Sequence, residues 1–381
     1  MSFLKDIRVV DLTRLYPGPF ASMILCDYGA DVISIDPFSA NSSMVYPLYR
    51  NKKHIVIDLK KKAGLDVFLR LVAKADIVLE GFRPGTADLL GIGYDSVRVV
   101  NRNIIYCSIT GYGQNSSFKT RPGHDINYIA ESGILSLIGS KNGPPCVPGI
   151  QIADVTGALY AVNAILAALY KREKTGEGEY IDISLTDSAT SLLTLPMYME
   201  ILLNETQQRG DSILAHRYPW YDIYETKDEQ FVAIGCLEPH FWKNLCMALD
   251  LEKFIPFQFE ETKKEEIRQS FRTIFKSGSA SYFESFFEDK DICFSIVRDM
   301  DGVKKSLLLK ERNMILSFYS DIGDMFFPGR VAKFKECSDQ GIQIPSFGAD
   351  SFSVLCDLGF SREEISELVS SRIVYGKAGF L

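Results

Sequence analysis

The segment Ile7–Asp36 reads I-R-V-V-D-L-T-R-L-Y-P-G-P-F-A-S-M-I-L-C-D-Y-G-A-D-V-I-S-I-D. It opens on an apolar, β-branched run, Ile7–Leu12. A helical stretch, Pro19–Tyr28, follows Pro17-Gly18 and carries a proline in its first turn, where a missing N–H costs nothing. A second β-branched run, Asp31–Asp36, completes a strand–helix–strand unit. The alternation continues downstream. His54–Leu59, Asp76–Glu80 and Asn103–Ile109 read as strands, and Ala63–Lys74 has helical periodicity. Strands separated by amphipathic helices argue for a parallel sheet covered on both faces.

Asp154–Tyr170 is apolar nearly all round, which marks a buried helix. Lys171, Arg172 and Lys174 stand at its C-terminal end, where cations complement the helix dipole. Thr175-Gly176-Glu177-Gly178 ends it, Glu179–Leu185 alternates as a strand, and a helix is expected over Thr186–Leu203. The character then changes. Residues 204–216 are polar and read as a linker, and Tyr218–Thr226 with Gln230–Gly235 reads as a hairpin. Helical stretches follow to about Phe287. After Phe327-Pro328-Gly329 comes a strand-like segment, then short helices over Asp350–Leu358 and Ser361–Val369, the second opening on a capping-box sequence. The expected fold is therefore α/β, a Rossmann-like parallel sheet domain with a smaller α+β domain. Residues 1–203 and 325–381 would form the large domain, and 217–324 the small domain with its connecting segment.

Several classes are excluded. Asp11–Gly18 occupies the place of a G-x-G-x-x-G fingerprint, and neither a P-loop nor a G-x-S-x-G elbow occurs. A dehydrogenase or an NTPase is thus not expected. The net charge of −7 over 381 residues gives no reason to expect nucleic-acid binding. Lys52, Lys53, Lys60, Lys61 and Lys62 form either a local patch for a phosphorylated ligand or a solvated face. The cysteines Cys26, Cys107, Cys146, Cys236, Cys246, Cys293, Cys337 and Cys356 show no C-x-x-C spacing, so no metal site is expected, and several lie in apolar runs as reduced thiols would. No signal peptide precedes the first strand, no apolar run suggests a membrane span, and Lys377–Leu381 is not an S-K-L signal; a cytoplasmic location is the expectation.

The chemistry concentrates in two places. Arg121–Tyr128 reads R-P-G-H-D-I-N-Y, and Asp154 heads the apolar helix. Asp154 suits the N-cap of that helix, a purely structural task. The same position also sets a carboxylate among free N–H groups able to hold an oxyanion. His124 follows a Pro122-Gly123 turn and admits both a structural and an acid/base reading. Glu238, between a strand and the proline-led Pro239-His240-Phe241, admits helix-end charge complementarity. His54, His216 and His240 read as structural or surface residues.

Taken together, the sequence resembles the α-methylacyl-CoA racemases within the family III CoA-transferase (CaiB/BaiF) group. The resemblance runs through Val9–Leu12, Pro17–Ala21, Asp27–Ala30, Asp58–Lys60, Glu80–Gly85, Thr110–Gln114, Gly123–Tyr128, Ala153-Asp154, Thr175–Gly178 and Leu237–Phe241. It implies that His124 and Asp154 are the two acid/base groups on opposite faces of a substrate α-carbon, supported by Glu238. It implies that Ile57, Asp58, Leu59 and Lys60, with Gly123, His124, Asp125, Ile126, Asn127 and Tyr128, contact the CoA moiety, and that Arg83 meets a CoA phosphate. It further implies an interlocked homodimer in which Glu238 reaches the partner's site, an acyl-CoA thioester as substrate, and no separate cofactor. Two positions depart from the family pattern. Pro37 stands where members often carry an arginine, and Val155-Thr156-Gly157-Ala158 replaces the glycine-rich run usual in racemases with a transferase-like sequence.

Overall fold

The computed structural model describes residues 3–40, 46–320, 323–335 and 341–376. Cys337 and the C-terminal Lys377–Leu381 lie outside these. Six strands form one sheet: β1 Arg8–Asp11, β2 Asp31–Asp36, β3 Lys53–Val56, β4 Ile77–Glu80, β5 Ile105–Thr110 and β6 Glu179–Ser184. Their order is β3-β2-β1-β4-β5-β6, and every pairing is parallel. Residues on β1, β2, β4 and β5 are almost all buried, as a sheet covered on both faces requires. The order reverses between β1 and β4. Ligand crevices of open α/β sheets form at the carboxyl ends of the strands flanking such a switch. The loops after β1 and β4 therefore border the crevice that this topology leads one to expect.

One face is covered by helices Lys62–Val72, Ser351–Asp357 and Arg362–Ser370. Phe68, Leu71, Val354, Leu355 and Ile365 pack there in one cluster with Val10, Ile33, Val78 and Tyr106. Ser361 and Glu364 make the reciprocal capping box, with Ser361 N–H donating to Glu364 at 2.7 Å and Glu364 N–H to Ser361 Oγ at 3.2 Å. Helices Pro17–Asp27 and Ile152–Thr175 pack against each other, the latter also lying along β5 and β6. Ile152–Thr175 is long and apolar enough to cross a membrane by length and composition, contrary to the sequence reading. Here Ala153, Gly157, Ala158, Ala161, Val162, Ile165 and Ala168 are buried while Leu159, Tyr160 and Tyr170 are exposed, so the helix is covered along one face and not all round as its composition suggested.

The chain divides into two units. The sheet unit holds residues 1–134, 148–193 and 313–381; the second holds 135–147 and 194–312. The boundaries differ from those read from composition. The expected helix over Thr186–Leu203 is broken by a 3₁₀ turn, Ser191–Leu193, and its second half, Thr194–Leu203, groups with the second unit. No strand follows Gly329 among the described residues. The strand propensity there belongs to an antiparallel hairpin, Ile315–Ser320 with Gly323–Pro328, that ends before it. The second unit is built on strands β7 Tyr221–Glu225, β8 Phe231–Gly235 and β9 Phe294–Ile296, paired antiparallel. Its core gathers Trp220, Tyr224, Trp242, Phe271, Phe275 and Phe283.

Candidate active site

A buried ionic brace fixes the loop after β1. Asp11, at the end of β1, accepts hydrogen bonds from the N–H and hydroxyl of Thr13 and from the hydroxyl of Ser22. Lys52, fully buried before β3, reaches Asp11 at 3.4 Å, the carbonyl of Pro19 at 3.0 Å and Ser22 Oγ at 2.6 Å. Burial pushes its ammonium pKa down, while Asp11 opposes the shift. The lysine cluster of the sequence thus divides, with Lys52 buried and Lys60, Lys61 and Lys62 exposed. Lys52 is structural, Lys53 pairs with Asp31 at 2.8 Å, and Lys61 donates to the carbonyls of Ser371 and Arg372. Gly18 is required here because a Cβ would lie 2.1 Å from Thr13. Leu15 takes a left-handed φ of 66° with its side chain exposed, a strained conformation for a bulky residue.

The G-H-D-I-N-Y element is largely knitted to itself. Tyr128 donates its hydroxyl to the Gly123 carbonyl at 2.6 Å, and its ring lies where a Cβ on Gly111 or Gly123 would sit. Asn127 accepts from His124 N–H at 3.0 Å, and Asp125 accepts from Asp154 N–H at 3.0 Å. Gly123, Asp125, Asn127 and Tyr128 therefore have internal tasks, while His124 and Ile126 are presented to solvent. His124 is the N-cap of helix Asp125–Glu131.

Asp154 is not the N-cap of its helix. Gln151 holds that position, and Asp154 stands in the first turn of Ile152–Thr175. Its own N–H is committed to Asp125, so Ile152 and Ala153, ahead of any helical acceptor, are the first-turn N–H groups left to meet an anion. Burial pushes the Asp154 carboxyl up to about 6, the Asp125 charge adds to this, and the charge of His124 draws it back. The Asp125 bond ties the loop of His124 to the helix of Asp154.

Tyr16, which the sequence reading did not single out, belongs to this constellation beside Tyr128, which was expected there as a CoA contact. Burial and then the Asp154 charge raise the phenol of Tyr16. Burial raises Tyr128 to about 12, with Tyr112 and Asp154 adding and Arg83 opposing. The signal for Tyr16 was positional: it ends the loop after β1 at the sheet's switch point, directly before the helix-opening Pro17.

The remaining candidates fall as follows. Ile57 is buried and its N–H donates to Asp36; Asp58 N–H donates to Ile373 and its carboxylate accepts from Lys60 N–H. Leu59 packs against the sheet core, which leaves the exposed Lys60 as the outward group of this loop. Arg83, exposed after β4, rims a cleft of about 250 Å³ whose other charged lining residues are Glu80, Asp88 and Asp95. Glu238 lies in the second unit as the exposed N-cap residue of Pro239–Ala248, with no hydrogen bond or ion pair from its carboxylate among the described residues. His54 is buried between Asp36 at 3.0 Å and the Gly348 N–H at 2.8 Å, which fixes its neutral tautomer, and His216 contacts Asp222 at 2.6 Å. No group of three or more potential metal ligands occurs among the described residues.

Comparison with known proteins yields consistent relatives. The family model of CoA-transferase family III matches residues 4–351. An α-methylacyl-CoA racemase of Mus musculus is 33% identical, with 97% of each chain covered. A succinyl-CoA:glutarate CoA-transferase of Homo sapiens is 28% identical over 97% of this chain and 90% of its own. A crystal structure of a CaiB/BaiF family protein from Brucella suis superposes with a TM-score of 0.79 at 23% identity, covering 93% of this chain and 99% of that one.

Proposed function

The chain belongs to CoA-transferase family III, and from that premise we propose that it inverts the α-carbon of 2-methylacyl-CoA thioesters. A thioester acidifies its α-proton because the resulting enolate delocalises onto the carbonyl oxygen. One of His124 and Asp154 removes the proton from one face, and the other returns a proton to the opposite face. The observation that carries this reading is the Asp154 carboxyl, set at about 6 in the first turn of a long helix and tied through Asp125 to the loop of His124. A group so placed is populated in both protonation states near neutrality, as a two-way proton carrier must be. The helix N-terminus favours the negative charge of an enolate. No metal or organic cofactor is needed, since CoA is part of the substrate.

Lys60, exposed on a loop shaped by Ile57, Asp58 and Leu59, meets a CoA phosphate, and Arg83 is a second cation for this task, set against the acidic lining of its cleft. The G-H-D-I-N-Y element presents His124 and Ile126 to the thioester arm. Glu238, its carboxylate uncommitted, supports the proton-transfer pair from the partner subunit of a homodimer. Helix Thr194–Leu203 favours such an assembly, because it exposes Leu195, Met197, Tyr198, Ile201 and Leu202.

A second reading is CoA transfer, favoured by the likeness to a succinyl-CoA:glutarate CoA-transferase. The Asp154 carboxylate would then attack the thioester carbonyl and expel CoA as the thiolate, leaving a mixed anhydride. His124 decides between the two. Incubation with a 2-methylacyl-CoA in D₂O, without an acceptor acid, should yield α-deuterated, epimerised thioester. His124→Ala should abolish that exchange. Absence of exchange with the wild-type protein sinks the inversion reading, and CoA appearing on an added carboxylic acid establishes transfer in its place.

A further inference from the structure

Tyr16 is the residue of the crevice that the proposed mechanism leaves idle. It lies at the switch between β1 and β4, at the N-terminus of helix Pro17–Asp27, which packs against the helix carrying Asp154. The loop that delivers it is held on both sides. Asp11, Thr13, Ser22 and Lys52 brace its start, and Leu15 takes its strained left-handed conformation immediately before it. The ring stacks on Phe20 at 5.5 Å, which orients the phenol without using its oxygen. The residue is half-buried, and its hydroxyl has no hydrogen-bond partner among the described residues. Tyr128, the other tyrosine that feels Asp154, spends its hydroxyl on Gly123. The aspartate's own N–H is spent on Asp125, so a side-chain donor here would act beside the first-turn N–H groups of Ile152 and Ala153.

We propose that the Tyr16 phenol donates a hydrogen bond to the thioester carbonyl oxygen of the substrate held beside Asp154, and strengthens it as negative charge builds on that oxygen. The inference rests on the reading of Asp154 as the reaction centre, but not on whether proton transfer or CoA transfer occurs there, since both place charge on the same oxygen. The raised phenol pKa keeps the donor protonated throughout the neutral range. Preorganised donors of this kind act where charge develops and need no reorganisation during the reaction.

Tyr16→Phe keeps the stack on Phe20 and removes only the hydroxyl. With a 2-methylacyl-CoA carrying ¹³C at the thioester carbonyl, the carbonyl stretch of the bound molecule should lie below its solution value in the wild-type protein. In the variant it should return toward that value. Turnover, whether read as α-deuterium exchange or as CoA transfer to an added acid, should fall roughly 10²–10³-fold with KM little changed. An identical bound carbonyl frequency in the two proteins, or undiminished turnover in the variant, overturns the proposal. If the wild-type protein binds the thioester yet catalyses neither reaction, the proposed function fails while the carbonyl frequency still judges Tyr16.

Discussion

Asp154 carries a pH dependence of defined sign. Its folded pKa, about 6, lies above the ordinary carboxylate value of 3.8. The folded state therefore holds that proton more tightly than the unfolded chain. The stability tied to it is full below about 3.8 and is lost as pH rises through about 6. Asp154→Asn carries no such cost. The variant should melt above wild type at pH 8, with the difference narrowing as pH falls through this window; a difference independent of pH would contradict the assignment. In the direction where Asp154 acts as base, kcat/KM should rise with pH through about 6, and the reverse direction should show the opposite limb. His124 and Asp154 were legible in the sequence because a scarce histidine and a helix-heading carboxylate stand out even before any resemblance is invoked. The part of Asp125 was not. Its bond to the Asp154 N–H spans 29 positions and depends on the docking of two helix N-termini, which no local pattern encodes. Tyr16 was hidden because its one local mark, a place directly before the helix-opening Pro17, gains meaning only with the strand order.

Regular elements read well where burial and periodicity agree. Asp31–Asp36 is a strand with the expected bounds, and the capping box at Ser361 forms. Periodicity failed where packing overrides it. The apolar run expected to begin at Asp154 starts at Ile152, because Gln151 rather than the aspartate takes the cap position. Gly157 shows the force of packing at this scale. Alanine there would gain about 1 kcal/mol of helix propensity, but its Cβ would lie 2.3 Å from the Leu185 side chain. Overpacking costs about 1–3 kcal/mol, so Gly157→Ala should lower the melting temperature rather than raise it. A thermal melt of the single variant checks the sign. Tyr128→Phe tests the loop that presents His124. Losing the 2.6 Å bond to the Gly123 carbonyl should reduce kcat more than KM in steady-state assays of exchange or transfer.

At the scale of the whole molecule, composition shows a change of character near residue 204, while the two compact units part between residues 193 and 194. Residues 135–147 join the second unit across a long sequence separation, and composition carries no trace of that. The proposed sharing of sites between subunits has a direct test. Co-expressed Asp154→Asn and Glu238→Gln chains, each inactive alone, should regain activity, since one site of each mixed dimer combines both native residues. Persistent inactivity of a verified mixed dimer would place Glu238 in its own subunit's site. The brace beneath the crevice has a longer reach. Asp11 and Lys52 join β1, the first helix and the approach to β3, and each is nearly sealed from water. Losing one partner strands the other as a bare interior charge, at about 3–5 kcal/mol, against a typical domain stability of about 5–15 kcal/mol. Lineages descending from this chain can therefore hardly exchange one without the other, and the pair should be inherited as a single character.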